Sequence, residues 1–161
     1  MRTTSKTSLL IATLGALFVS GCDNARKPEP ASTNAQARLT GQLPYNPLAW
    51  KPITTLVNPG AGTASTLYGN DMAVAYARSN AGAAYPAGSV LALVTWAERE
   101  DPHWFGGKIP GSPQSVEFVK IGAQPEYSVF KGGPLARQDA AADQSSARID
   151  YITHQRAAVM P

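Results

Sequence analysis

His103 and His154 are the two histidines of this 161-residue chain, and the first sits in the stretch "EDPHWFGGKIPG". Glu98, Glu100 and Asp101 precede it, and Trp104 and Phe105 follow, leading into Gly106 and Gly107. Carboxylates beside an imidazole are the donor types of a metal site or an acid–base pair. A metal site also needs several donors converging from one element or from neighbouring ones. The two histidines lie far apart, with no His-x-x-x-His and no paired cysteines, and "EREDP" reads as a solvated turn. No metal and no catalytic residue is therefore assigned. The aromatics carry a different suggestion. Large rings flanking glycines line a pocket or plug the end of a sheet core. Leu93, Trp96, Trp104 and Phe105 are the candidate pocket lining, and the rings are expected to close one end of the sheet.

Other signatures of chemistry are missing. "GAGTAST", Gly60 to Thr66, lacks the Gly-Lys-Ser/Thr ending of a phosphate loop and the third glycine of a dinucleotide fingerprint. No Gly-x-Ser-x-Gly elbow is present to supply a hydrolase serine. The single cysteine, Cys22, ends the N-terminal apolar run.

That run defines the N-terminus. Arg2 and Lys6 form a short basic region, "LLIATLGALFV" is too short to span a bilayer as a mature helix, and "VSGC" follows. This is the layout of a secretory signal. It resembles the bacterial lipobox, in which the cysteine becomes the lipidated first residue of the mature chain. Acyl chains such as palmitate at Cys22 are expected to hold the protein to a membrane by burying many methylenes. The expected location is the bacterial cell envelope, facing the periplasm. In some bacteria an aspartate directly after the cysteine, here Asp23, favours the inner membrane. One cysteine also leaves no internal disulfide, although the chain enters an oxidising compartment.

Removing residues 1–21 changes the charge argument. The chain has 14 Lys and Arg against 11 Asp and Glu, and Arg2 and Lys6 leave with the signal. The basic balance is thus largely a signal-peptide effect, and no basic cluster remains to suggest a nucleic-acid partner. "DNARKPEPASTNAQARLTGQ", Asp23 to Gln42, is polar and almost free of large apolar residues. Residues 22–42 are expected to be a lipidated flexible tether, and residues 43–161 one domain. At roughly 120 residues such a domain buries about two thirds of its unfolded surface and needs no disulfide or metal to fold.

Within it, Trp50 to Gly60 reads as strand and turn, and Thr63 onward as strand. Asn70 or Asp71 can cap a helix over Met72 to Asn80. Val90 to Trp96 is too continuously apolar for a half-solvated strand, so both its faces should be covered. In "SVEFVKIG", Val116, Phe118 and Lys120 share one face, and Glu117, Val119 and Ile121 the other. Glu126 to Gly133 is a further strand, and Leu135 to Met160 should be mainly helical. The expected class is α+β, with an antiparallel sheet and flanking helices.

The order of these elements resembles the cytochrome P460 family, which includes the cytochromes c′-beta. The resemblance runs from Thr63 to Ile121. Its marks are a strand ending in Tyr68, a short helix with Tyr76 and Arg78, the turn "YPAGSV", an aromatic-glycine loop and a Ser-Val strand opening. It implies a curved antiparallel sheet with flanking helices. Members bind c-type haem near the C-terminus through Cys-x-x-Cys-His. Here the best-matching window is "DAAAD", with Asp139 and Ala142 at the cysteine positions and Asp143 at the ligand position. Leu93 stands where enzymatic members carry a cross-linking lysine, and Pro113 where they carry a proton-accepting glutamate. Hydroxylamine oxidation is not carried over. Two readings follow: a haem-free domain that binds a small ligand or a protein partner, or a redox protein holding haem non-covalently through His103 or His154.

Overall fold

The computed structural model describes residues 34–79, 82 and 84–158. The expected signal segment, Cys22 and the expected tether up to residue 33 lie outside them. β-Branched residues and short turns build a six-stranded sheet. β1 (Lys51–Asn58), β2 (Thr63–Gly69), β3 (Val90–Glu100), β4 (Lys108–Lys120), β5 (Glu126–Lys131) and β6 (Ala136–Gln138) lie side by side in chain order. Every neighbouring pair is antiparallel. Two short helices, α1 (Asp71–Ser79) and α2 (Ala142–Thr153), complete an α+β fold. Among the described residues no helix is long and apolar enough to cross a membrane.

Asn70 is the helix cap, with its carboxamide oxygen accepting from Ala73 N–H at 3.0 Å and from Val90 N–H at 3.2 Å. One side chain thus starts α1 and fixes the start of β3 beside it. Alternation then sorts the central strands into two faces. Leu91, Leu93 and Val119 join Ile53 and Leu67 beneath both helices, where Ala73 and Val74 of α1 and Ile152 of α2 are buried. Ala92, Val94, Trp96, Val116, Phe118 and Phe130 form the opposite face. The continuous apolar run of β3 is covered on both sides, as its sequence predicts.

The cover of that second face corrects the expected tether. Residues 34–42 are fixed to the sheet. Ala37 and Leu39, with Leu43 and Trp50, pack on the second apolar face. The Ala37 carbonyl accepts from the buried Trp96 indole at 2.9 Å, and the Thr40 carbonyl from Leu135 N–H at 2.7 Å. Gly41 pairs with Leu135 at φ +122°, where an added Cβ would overlap the Leu135 carbonyl. Only glycine allows that approach. The face is too apolar to stay bare, and this polar-looking segment supplies its cover. A second correction concerns Leu135 to Met160. Its first residues extend the sheet as β6, because the Gly132–Gly133 turn returns the chain along the edge of β5, and the helix spans 142–153 alone.

Candidate functional site

The two helices leave part of the first face open beside α2. There a row of directly paired residues crosses the sheet: Leu67, Leu93, Glu117, Val129 and Gln138. A carboxylate in such a row must find partners, because burying an unpaired charge is costly. Glu117 is 6% exposed and accepts three hydrogen bonds from two partners. Arg148 donates from Nε at 2.7 Å and from Nη2 at 2.8 Å, and the Tyr127 hydroxyl donates at 2.6 Å. The guanidinium and carboxylate meet as two forks, the arrangement that gives the strongest charge-assisted pairing.

Local structure places each partner. Strand alternation turns Glu117 toward α2, and Tyr127 reaches it diagonally from β5. On α2, Gln144, Arg148 and Ile152 recur every fourth residue and share one face. Ile152 is fully buried and pins the helix, which fixes where Arg148 can reach. Tyr151 supports it from the side, with the Arg148 Cζ 4.6 Å from the ring centroid. Burial pushes the Tyr127 hydroxyl well above the ordinary phenol range, and its bond to Glu117 adds to the shift. The bond to Glu117 raises the Arg148 guanidinium too, against a smaller effect of burial. Both groups keep their protons at any physiological pH.

A cavity of about 490 Å³ opens against this network. Ser115, Val129, Lys131 and Gln138 line it from the sheet, and Gln144 and Ala147 from α2. Asp139 and Ala140, in the connection before α2, close a further side. The lining therefore offers amides, a hydroxyl and charges of both signs over a small apolar floor. It suits recognition of a polar molecule. Within it, Glu117 is engaged by Arg148 and Tyr127, and the Tyr127 phenol is held above its ordinary range.

The residues singled out by sequence are not brought together. Leu93 and Trp96 are an odd number of positions apart on β3, so they face opposite sides of the sheet. Trp96 lines a separate cavity of about 390 Å³ with Asn34, Ala37, Tyr68 and Pro110. Trp104 and Phe105 close nothing: they stand at the tip of the β3–β4 hairpin, 74% and 104% exposed. A seven-residue turn beyond the last strand pair projects past the sheet, so its rings have no core to enter. His103 is exposed in the same turn, its backbone N–H donating to the Asp101 carboxylate at 2.8 Å. His154 is exposed at the end of α2, with Nδ1 2.6 Å from the Asp150 carbonyl.

Haem needs apolar faces and an axial donor. The cavity beside α2 presents charged and amide groups, neither histidine lines it, and its one aromatic, Tyr127, commits its hydroxyl to Glu117. Those residues do not fit the group. Among the described residues no three His, Cys, Asp or Glu side chains gather as a metal would require.

Glu117 was the legible signal that sequence reasoning passed over: an acid inside the buried run Val116–Val119 of β4. Arg148, 31 positions away, offered no comparable sign. No family model matches the chain, and no curated protein matches it.

Proposed function

We propose that this chain is a bacterial envelope lipoprotein, acylated at Cys22 and facing the periplasm. Its folded part is a cytochrome P460-like domain without haem that holds a small polar ligand beside α2. The observation that carries the ligand reading is the cavity of about 490 Å³ set against the Glu117–Arg148–Tyr127 network. A site backed by locked rotamers loses little entropy on binding. Lys131 and Asp139 give the lining both signs, which favours a zwitterionic or hydrogen-bonding molecule over an apolar one. The family reading is supported by position. The "DAAAD" window leads into α2, and its Asp139 and Ala140 line this same cavity. The proposed role is binding, because the Glu117 carboxylate at the site is already engaged by Arg148 and Tyr127.

Native mass spectrometry of the protein extracted gently from bacterial membranes tests the proposal. A retained small molecule, lost on Ala147→Trp and weakened by Lys131→Met, is the expected result. A protein that retains nothing, and shows no thermal shift with amino acids, polyols or nucleosides, overturns the ligand reading. An intact mass without acyl chains overturns the anchor.

A further inference from the structure

The β3–β4 hairpin tip displays two large aromatics that serve neither core nor cavity. Phe105 is as exposed as in an extended chain, at 104%, and Trp104 is 74% exposed. The turn holds them there. Asp101 N–H donates to the Gly107 carbonyl at 2.9 Å, and Gly107 N–H to the Trp104 carbonyl at 2.9 Å. Gly106 turns the chain at φ +75°, and the Glu100–Lys108 ion pair closes the base. Holding two apolar rings in water has no benefit for folding, so a partner surface is implied.

Its identity is inferred from the place of Asn34, twelve residues after Cys22. Asn34 is bound to this same hairpin: its amide donates to the Pro110 carbonyl, and its oxygen accepts from Arg99 Nη2 at 3.2 Å. One ladder pair, Glu100–Lys108, separates that junction from the turn carrying the aromatics. Twelve residue steps lie between Asn34 and Cys22, a span of at most about 40 Å. Acyl chains at Cys22 would thus keep a bilayer within about 40 Å of Asn34, the described residue bound to this hairpin. Tryptophan favours the headgroup boundary, where its apolar ring and polar N–H are both satisfied, and Phe105 adds apolar area beside it.

We propose that the β3–β4 tip inserts Trp104 and Phe105 into the bilayer surface as a second attachment point, orienting the domain relative to its lipid anchor. This rests on acylation at Cys22. The charges of the hairpin end, Glu98, Glu100 and Asp101 against Arg99 and Lys108, nearly cancel. The contact is thus apolar, independent of anionic lipid and of salt.

The test uses the full, processed chain reconstituted into phosphatidylcholine vesicles whose acyl chains are brominated near the headgroup. Trp50 and Trp96 give a common background, so wild type is compared with Trp104→Ala/Phe105→Ala. Wild-type emission should be quenched and shifted to shorter wavelength, equally at low and high salt. The double variant should still float with the vesicles but lose both the quenching and the shift. Acylated, vesicle-bound wild type whose emission matches the double variant overturns the tip contact while leaving the anchor intact. A shift that grows with protein concentration in detergent alone makes a second copy the occupant and also overturns it. An unacylated Cys22 overturns both readings, since no bilayer then lies beside the tip.

Discussion

Replacing Arg148 by methionine keeps most of the side chain's stem and removes the guanidinium. Glu117 is then left 6% exposed with one partner, the Tyr127 hydroxyl. Deleting one member of a fully buried pair costs about 3–5 kcal/mol, because the other charge stays behind uncompensated. That figure needs discounting here. The Arg148 side chain is 37% exposed, so water already screens the pair, and the Tyr127 bond survives. A loss of about 2 kcal/mol is expected, which corresponds to a fall of roughly 8 °C in Tm for a domain of this size. Glu117→Gln in the same chain removes the stranded charge, so the double variant should recover more than half of the loss. Urea unfolding of wild type, both single variants and the double variant gives the coupling energy directly. An Arg148→Met protein within about 0.5 kcal/mol of wild type, the range of ordinary surface changes, would refute the reasoning. A double variant no more stable than Arg148→Met would do the same.

Tyr127→Phe tests the third member through pH. Burial and the bond to Glu117 hold this phenol protonated above its ordinary range, while the unfolded chain releases the proton near pH ~10. Its contribution is complete below that pH and is lost as pH rises beyond it. Wild-type urea midpoints should fall above about pH 10, and the variant's alkaline decline should be shallower; parallel curves exclude Tyr127 from the network. Gly41→Ala places a side chain at φ +122° against the Leu135 backbone. It should cost about 2 kcal/mol or more, with limited proteolysis cutting within residues 34–43 before any strand. Trp96→Phe removes the indole donor to the Ala37 carbonyl and should cost about 1 kcal/mol for the bond alone, read as a lowered urea midpoint.

The sheet was legible where one residue's pattern decides its neighbours' places. The unbroken apolar run of β3 required cover on both faces, and the alternation of β4 assigned Val116 and Phe118 to one side and Glu117 and Val119 to the other. The capping role of Asn70 was equally readable, since it depends on local geometry. What escaped was fixed by contacts distant in sequence. Residues 34–42 look like a tether because their apolar residues are few, and backbone carbonyls meeting Trp96 and Leu135 hold them. Backbone acceptors leave no mark in residue type. Trp104 and Phe105 were misplaced for the opposite reason. Their size argues for burial, but hairpin length sets how far they project. The cavity itself could not be read from any single segment, because β4, β5, β6 and α2 each contribute a wall.

The way residues 34–41 lie on the sheet gives the protein a mechanical character. If the chain is held at Cys22 as proposed, a pull along residues 34–41 would reach Asn34 before the Ala37 carbonyl, and that before the Thr40–Gly41 contact with Leu135. These attachments are loaded one after another, like a strip being peeled, while the ladders among β1 to β6 carry no tension until the strip is free. Each residue released lengthens the leash by about 3.5 Å. Stretching would therefore uncover the Trp96 indole before it loads the sheet.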